Sequence, residues 1–170
     1  LEIAGFAPIV SGNARVLILG TIPSEASLLR QQYYGHPRNT FWPIMSALFG
    51  SNPELCYQQR KNLLIENGIA VWDVLQSCNR LGSSDSNIKL ATIRTNDFTG
   101  FFGEYKDIKQ VFFNGRTAEN LYQKYILPTL NHRFSYLQYL CLPSTSPAYA
   151  SLKLEQKIEA WKVIKHSMVK

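Results

Sequence analysis

The chain has 170 residues, a net charge of +6 and a pI of about 9.3, with 45% hydrophobic and 12% aromatic residues. That length suits one domain spanning residues 1–170 with a substantial buried core, and no run of 18 or more apolar residues is present, which excludes a transmembrane helix. Cys56, Cys78 and Cys141 are odd in number and far apart, which fits neither a disulfide framework nor a zinc or iron–sulfur site.

Those cysteines, with no secretory signal visible after Leu1, predict a reducing, cytoplasmic setting. The basic balance favours polyanion partners, because each neutralised phosphate releases counterions. The aromatic content adds bases as a target, since stacking on a ring is worth about 1–3 kcal/mol per base.

Arg15–Leu19 is the first of four short apolar runs that read as strands; Ile69–Leu75, Gln110–Asn114 and Tyr139–Leu142 follow. Each is bounded by Gly, Pro, Ser or Asn and is too short for a helix. Helical patterns lie between them: Ser24–Gln32, Thr40–Phe49, Glu54–Asn67, Asp97–Tyr105 and Arg116–Tyr125. The last, Leu152–Val169, puts Leu154, Ile158, Trp161, Ile164 and Met168 on one side, with Lys153, Lys157 and Lys165 largely off that stripe. Strands alternating with helices predict a three-layer α/β/α fold with a central four-stranded parallel sheet. Ligands in such sheets bind outside the carboxyl ends of the strands. Four segments converge there: Gly20–Ser27, Trp72–Asp73, Asn114–Gly115 and Pro143–Ala150.

The segment Tyr33–Trp42 is the most informative. It joins aromatic faces, Gly35, His36, Pro37, Arg38 and Asn39 in one stretch suited to a flat, hydrogen-bonding ring. Asn39 is open to two readings: a cap for the helix that follows, or a site residue left free if Thr40 caps instead. His36 lies in a loop, on the surface or against a base or phosphate. Arg38 suits a phosphate or carboxylate partner better than catalysis. In Gly20–Ser27, Gly20 permits close backbone approach, Pro23 suits the first helical position, and Ser24 and Ser27 offer hydroxyls. By pattern alone an ordinary turn is the plainer reading of these residues. Pro143–Ala150 is stiff and hydroxyl-rich, either a plain turn or a loop lying along a phosphate backbone. Asp73 is a strand-end carboxylate that either caps or works in the site. No phosphate loop, dinucleotide fingerprint, HExxH or GxSxG elbow is present, so a serine hydrolase built on Ser24 is poorly supported.

Three segments together resemble the uracil-DNA glycosylase superfamily: Val16–Leu19 running into Gly20-Thr21-Ile22-Pro23-Ser24, then Tyr34–Trp42, then Leu142–Ala148. The hypoxanthine (deoxyinosine) branch is most similar, from Gly5-Phe6-Ala7-Pro8-Ile9 through Trp72–Leu75, Cys78-x-Arg80 and Gly82-Ser83, so the likeness covers nearly the whole chain. Mismatch-specific uracil/thymine glycosylases share a similar pattern. The resemblance implies the glycosylase fold and a monofunctional DNA glycosylase of base excision repair. Such an enzyme hydrolyses the N-glycosidic bond of hypoxanthine or uracil and leaves an abasic site. It further implies no cofactor or metal, no membrane partner, and a monomer acting on DNA.

Many members place Asn or Asp where this chain has Ile22, which can neither accept a proton nor hold a water. Asn39 is the replacement that the deoxyinosine branch implies. Gly20, Thr21, Ile22, Pro23, Ser24, Tyr34, His36 and Asn114 would contact the base, with Tyr34 stacking on it. Arg38 and the loop Ser144, Thr145, Ser146, Pro147 and Ala148 would hold the DNA. Two readings stay beside this one: a glycosylase-fold protein that binds nucleic acid or nucleotides without catalysis, and a small-molecule hydrolase using Ser24 or His36.

Overall fold

The computed structural model describes residues 2–168. In chain order the elements are β1 (Glu2–Ala4), β2 (Val16–Gly20), α1 (Glu25–Arg30), α2 (Phe41–Phe49), α3 (Tyr57–Glu66), β3 (Ile69–Asp73), β4 (Leu75–Asn79), β5 (Arg94–Thr95), α4 (Phe98–Glu104), β6 (Gln110–Asn114), α5 (Arg116–Leu121), β7 (Gln138–Leu142), α6 (Leu154–Trp161) and α7 (Val163–Ser167). The four strands expected from the apolar runs form one parallel sheet in the order β3–β2–β6–β7.

Every residue of β2 is buried, because both sheet faces are covered. Val16 and Ile18 face Phe41, Ile44, Met45, Leu64, Trp161 and Ile164 of the layer built from α2, α3, α6 and α7. Leu17 and Leu19 join Phe98, Phe102, Leu121 and Tyr122 in the opposite layer. The three-layer expectation is therefore met.

A second, three-stranded antiparallel sheet, β1–β4–β5, also forms. The apolar run Ile69–Leu75 is not one strand. It breaks at Val74, whose N–H donates to the Gly20 carbonyl, and Leu75 N–H then donates to Thr21. The chain turns across the end of β2 and continues as β4. Two helical expectations also change. The pattern Arg116–Tyr125 is helical only to Leu121 and then widens into a π turn over Tyr122–Ile126, just before Pro128. The last pattern divides at Lys162 into α6 and α7, and its final residue Val169 lies outside the described residues.

Lys157 is the largest departure on α6. Only 4% exposed, it donates from Nζ to the Tyr149 carbonyl at 2.8 Å, and its ammonium lies over the Tyr149 ring. The acceptor and the ring face replace part of its lost hydration. Burial lowers its pKa. A lysine that periodicity sets off the apolar stripe thus fastens the loop that follows β7.

Candidate active site

Parallel pairing sets the carboxyl ends of the strands in a row: Gly20 lies opposite Asp73, Leu19 opposite Phe113, and Asn114 opposite Leu142. Because Gly20 and Asp73 are register partners, the Asp73 side chain lies directly over the Gly20 backbone. A methyl group added to Gly20 would stand 2.6 Å from Asp73 Oδ1 and 3.0 Å from the Tyr34 hydroxyl. Glycine is required here by that close approach.

Asp73 is 4% exposed, and its Oδ2 has no hydrogen-bond partner among the described residues. The Tyr34 hydroxyl is buried and equally unpartnered. Buried polar atoms without partners cost about 1–3 kcal/mol each, so one on each of the two side chains that close over Gly20 marks a place suited to a polar ligand. Burial pushes the Asp73 carboxyl up to about 7; the Asp85 charge adds to the rise and the Arg80 guanidinium opposes it. Burial, with the Asp73 charge, also raises the Tyr34 phenol, which therefore stays protonated. The sequence shows Asp73 only as a carboxylate at a strand end; its partnership with Gly20 arises from the register.

Tyr34 adopts a left-handed backbone at φ 54, a conformation that costs a residue with a Cβ about 1 kcal/mol or more. That conformation aims its hydroxyl into the row of strand ends. One face of its ring is stacked on Phe41, with centroids 4.1 Å apart and planes 21° from parallel. Only the opposite face is left for a base.

Asn39 holds the start of α2. Its Oδ1 accepts from the Phe41 N–H at 2.9 Å, while Thr40 forms no side-chain cap. The capping reading is realised, but with one oxygen lone pair and the amide N–H₂ unspent. Thr40 instead donates from both N and Oγ1 to the Thr145 carbonyl.

Several residues expected to contact substrate serve as ties. Asn114 uses both ends of its amide on Thr145: Nδ2 donates to Oγ1 at 2.9 Å and Oδ1 accepts from the backbone N–H at 2.9 Å. Thr145 is 0% exposed, so its side chain is no DNA contact; it locks the loop after β7 to β6. Ile22 is packed in the core with Leu19 and Leu75. Ser24 caps α1, accepting from Ser27 N–H and donating to Ser27 Oγ, and Ser27 in turn holds the Gly35 N–H. Pro23 gives its carbonyl to Arg80. Buried Thr21 lies beside Asp85, where its hydroxyl opposes the rise that burial imposes on that carboxyl. Asn114→Ala would strand the Thr145 N–H and hydroxyl in the interior. A loss of about 2–4 kcal/mol is expected. That lowers Tm by roughly 5–15 °C in a thermal melt. An unchanged melt would show that the tie does not hold the loop.

Other expected contacts remain accessible. Arg38 is exposed, and its N–H donates to His36 Nδ1. Ser144 Oγ and Ser146 Oγ accept from the N–H groups of Ser146 and Ala148, which leaves each hydroxyl proton free to donate. Pro147 is half-buried and Ala148 exposed. A surface cleft of about 540 Å³ between Gly5–Val10 and Tyr57–Ile65 lies elsewhere and contains no buried unpartnered polar side chain. Among the described residues no cluster of His, Cys, Asp and Glu is suited to a metal ion, and no helix is long and apolar enough to cross a membrane.

The family model of the uracil DNA glycosylase superfamily matches residues 7–165. A hypoxanthine DNA glycosylase of Methanosarcina acetivorans is 35% identical over 143 residues, covering 77% of this chain and 89% of that protein. A hypoxanthine DNA glycosylase of Methanosarcina barkeri is 37% identical over 115 residues, 67% of this chain and 72% of that protein. The solution NMR structure of a Methanosarcina acetivorans protein, described as a candidate uracil DNA glycosylase, superposes with a TM-score of 0.78. It shares 31% identity and covers 98% of this chain and 100% of that one.

Proposed function

The chain belongs to the uracil DNA glycosylase superfamily, and on that footing we propose that it releases hypoxanthine, with uracil as a second substrate, from DNA in base excision repair. The observation that carries this reading is the pair of unpartnered oxygens, Asp73 Oδ2 and Tyr34 Oη, on the two side chains that close over Gly20. A lactam ring offers that site a carbonyl acceptor and an N–H donor on one edge.

The target nucleotide is flipped into the row of strand ends. As the C1′–N bond breaks, its electron pair passes to the base and positive charge grows on the sugar. Water held by the Asn39 amide attacks C1′; its oxygen stays on the sugar, and the base leaves protonated. An amide is a weak base, but a carbocation-like centre requires only a positioned water. Protonated Asp73 donates to the base as negative charge develops there, which a charged carboxylate could not do. The hydroxyls of Ser144 and Ser146, with Arg38, bind phosphates on either side. The protein works as a monomer in the cytoplasm and needs neither metal nor cofactor.

A small-molecule hydrolase built on Ser24 loses its nucleophile, because both roles of the Ser24 hydroxyl are taken by Ser27. Nucleic-acid binding without catalysis keeps one supporting observation, the core packing of Ile22 where a water-holding side chain would serve. Duplexes carrying one inosine or one uracil, treated with protein and then alkali, separate the two. Strand cutting at the lesion is expected; a gel shift without cutting would leave only binding.

A further inference from the structure

Arg80 is 3% exposed, and among the described residues its guanidinium forms no salt bridge. Its Nη2 donates to the Pro23 carbonyl at 2.8 Å and its Nε to the Gly82 carbonyl at 2.7 Å. Nη1 is buried and has no hydrogen-bond partner among those residues. Neutral carbonyls need no ion to satisfy them, and a buried charge without a counterion is costly. A full charge at this place needs a reason, and no step of base release calls on it directly.

The reason lies in what the loop after β4 holds. Pro23 belongs to the turn that starts at Gly20, over which the Asp73 side chain closes. Asp85 meets the same turn at buried Thr21. The loop's own bonds keep the two charges in place. Arg80 bridges to Ile88, whose N–H donates to the Asp85 carbonyl at 3.2 Å. Ser83, between them, accepts at Oγ from the Glu25 N–H at 2.9 Å. One loop thus sets a cation and an anion against the turn beneath Asp73, with no ion pair joining them among the described residues. The titratable and charged groups around Asp73 are Tyr33 and Tyr34 from the segment before α2, Cys78 and Arg80 at the end of β4, and Asp85. Burial holds both phenols and the thiol neutral near pH 7. Asp85 is half-buried and the Thr21 hydroxyl favours its anion, so it ionises before the more deeply buried Asp73.

We propose that Arg80 and Asp85 are positioning residues for the Asp73 proton: an opposed pair of charges on one loop, the anion holding the proton on the carboxyl and the cation loosening it. Neither touches the base. Away from water such charges act on a neighbouring carboxyl with little screening. Burial and Asp85 raise the Asp73 carboxyl while Arg80 restrains the rise, which leaves it at about 7. An acid poised there is protonated at neutrality and still a strong donor as charge grows on a departing base. The proposal rests on the glycosylase reading and deepens it, since it says how the loop sets the acid that the reading uses.

The test measures kcat/KM for inosine release against pH in the full chain and in Asp85→Asn, Arg80→Met and Arg80→Lys. Asparagine keeps an acceptor for Thr21 but removes the anion, so the Asp73 midpoint is expected to fall by about 0.5 pH or more, roughly threefold in protonated fraction above it. Arg80→Met removes the cation, and the midpoint is expected to rise by a similar amount; Arg80→Lys restores it. These shifts hold whichever way the profile slopes. A merely structural loop would lower the rate at every pH and leave the midpoint unmoved. An unmoved midpoint, or one that moves the same way in Asp85→Asn and Arg80→Met, overturns the proposal. If Arg80→Met fails to give a folded melt, Asp85→Asn decides alone. A second readout does not need catalysis. In carbon-13 NMR of the aspartate carboxyls, the Asp73 signal is identified by its loss in Asp73→Asn, and its titration should show the same opposed shifts. Opposed shifts in a protein that releases no base sink the glycosylase reading and keep the pair. Base release with an Asp73 titration that neither variant moves sinks the pair alone.

Discussion

Asn39→Ala is expected to slow base release by about 10²–10³-fold while DNA binding stays near that of the parent. The change has two physical parts, which must be separated. Oδ1 caps α2 through the Phe41 N–H, and its loss destabilises that helix end by about 1 kcal/mol. Phe41 carries the ring on which Tyr34 is stacked, so a frayed α2 would also disturb the site indirectly. Asn39→Ser resolves the two. Serine is a good cap acceptor but is one carbon shorter and carries a hydroxyl in place of the amide, so it cannot hold the water as Asn39 would. The cap reading requires Ser to restore the rate; the water reading requires it to restore the melt and not the rate. Single-turnover release from inosine duplexes, beside a thermal melt of each variant, decides between them. Full activity in Asn39→Ala would remove Asn39 from the mechanism.

The parallel sheet was legible because its strands are short apolar runs with punctuated ends, and each run recurs as a strand within a residue or two, the second ending at the break before Val74. The small second sheet was not. Its outer strands have three and two residues, too few for a period-2 pattern, and they exist because β4 offers them an edge. Lys157 misled for a similar reason: helical periodicity places it off the apolar stripe, but the Tyr149 carbonyl and ring make the interior tolerable for its ammonium. In the site, residue types were readable and partners were not. Asn114 and Thr145 carry the polar groups that a DNA interface would use, yet they satisfy one another across the gap between β6 and the loop after β7. Asp73 shows the converse. A strand-end carboxylate looks like a cap until the register sets it over Gly20 beside a second unpartnered oxygen.

Asp73→Asn is expected to flatten the pH dependence of base release and to stabilise the protein above neutrality. The folded carboxyl titrates at about 7, against 3.8 for the free group, chiefly because it is buried. Below about pH 4 both folded and unfolded chains carry the proton, so this group has no effect on stability. Between pH 4 and 7 the unfolded chain ionises while the folded one keeps its proton, and stability falls as pH rises. Above 7 both are ionised and the whole penalty is present, on the order of 4 kcal/mol. Asparagine cannot ionise, so the variant should gain roughly 2–4 kcal/mol at pH 8 and almost nothing at pH 4. Thermal melts at the two pH values measure that difference. Activity follows from the same proton. If neutral Asp73 donates to the departing base, kcat/KM for inosine release falls as pH rises through about 7, since this profile reports the free enzyme. Asparagine retains a donor, so Asp73→Asn should hold its rate to pH 9, whereas Asp73→Ala should lose about 10²-fold throughout. A parent profile that climbs through pH 7 would mean that the carboxylate accepts from the lactam N–H instead. A loss in Asp73→Asn as deep as that in Asp73→Ala would show that neither donation nor charge is the point, and that the carboxyl's shape against Gly20 is what the base reads.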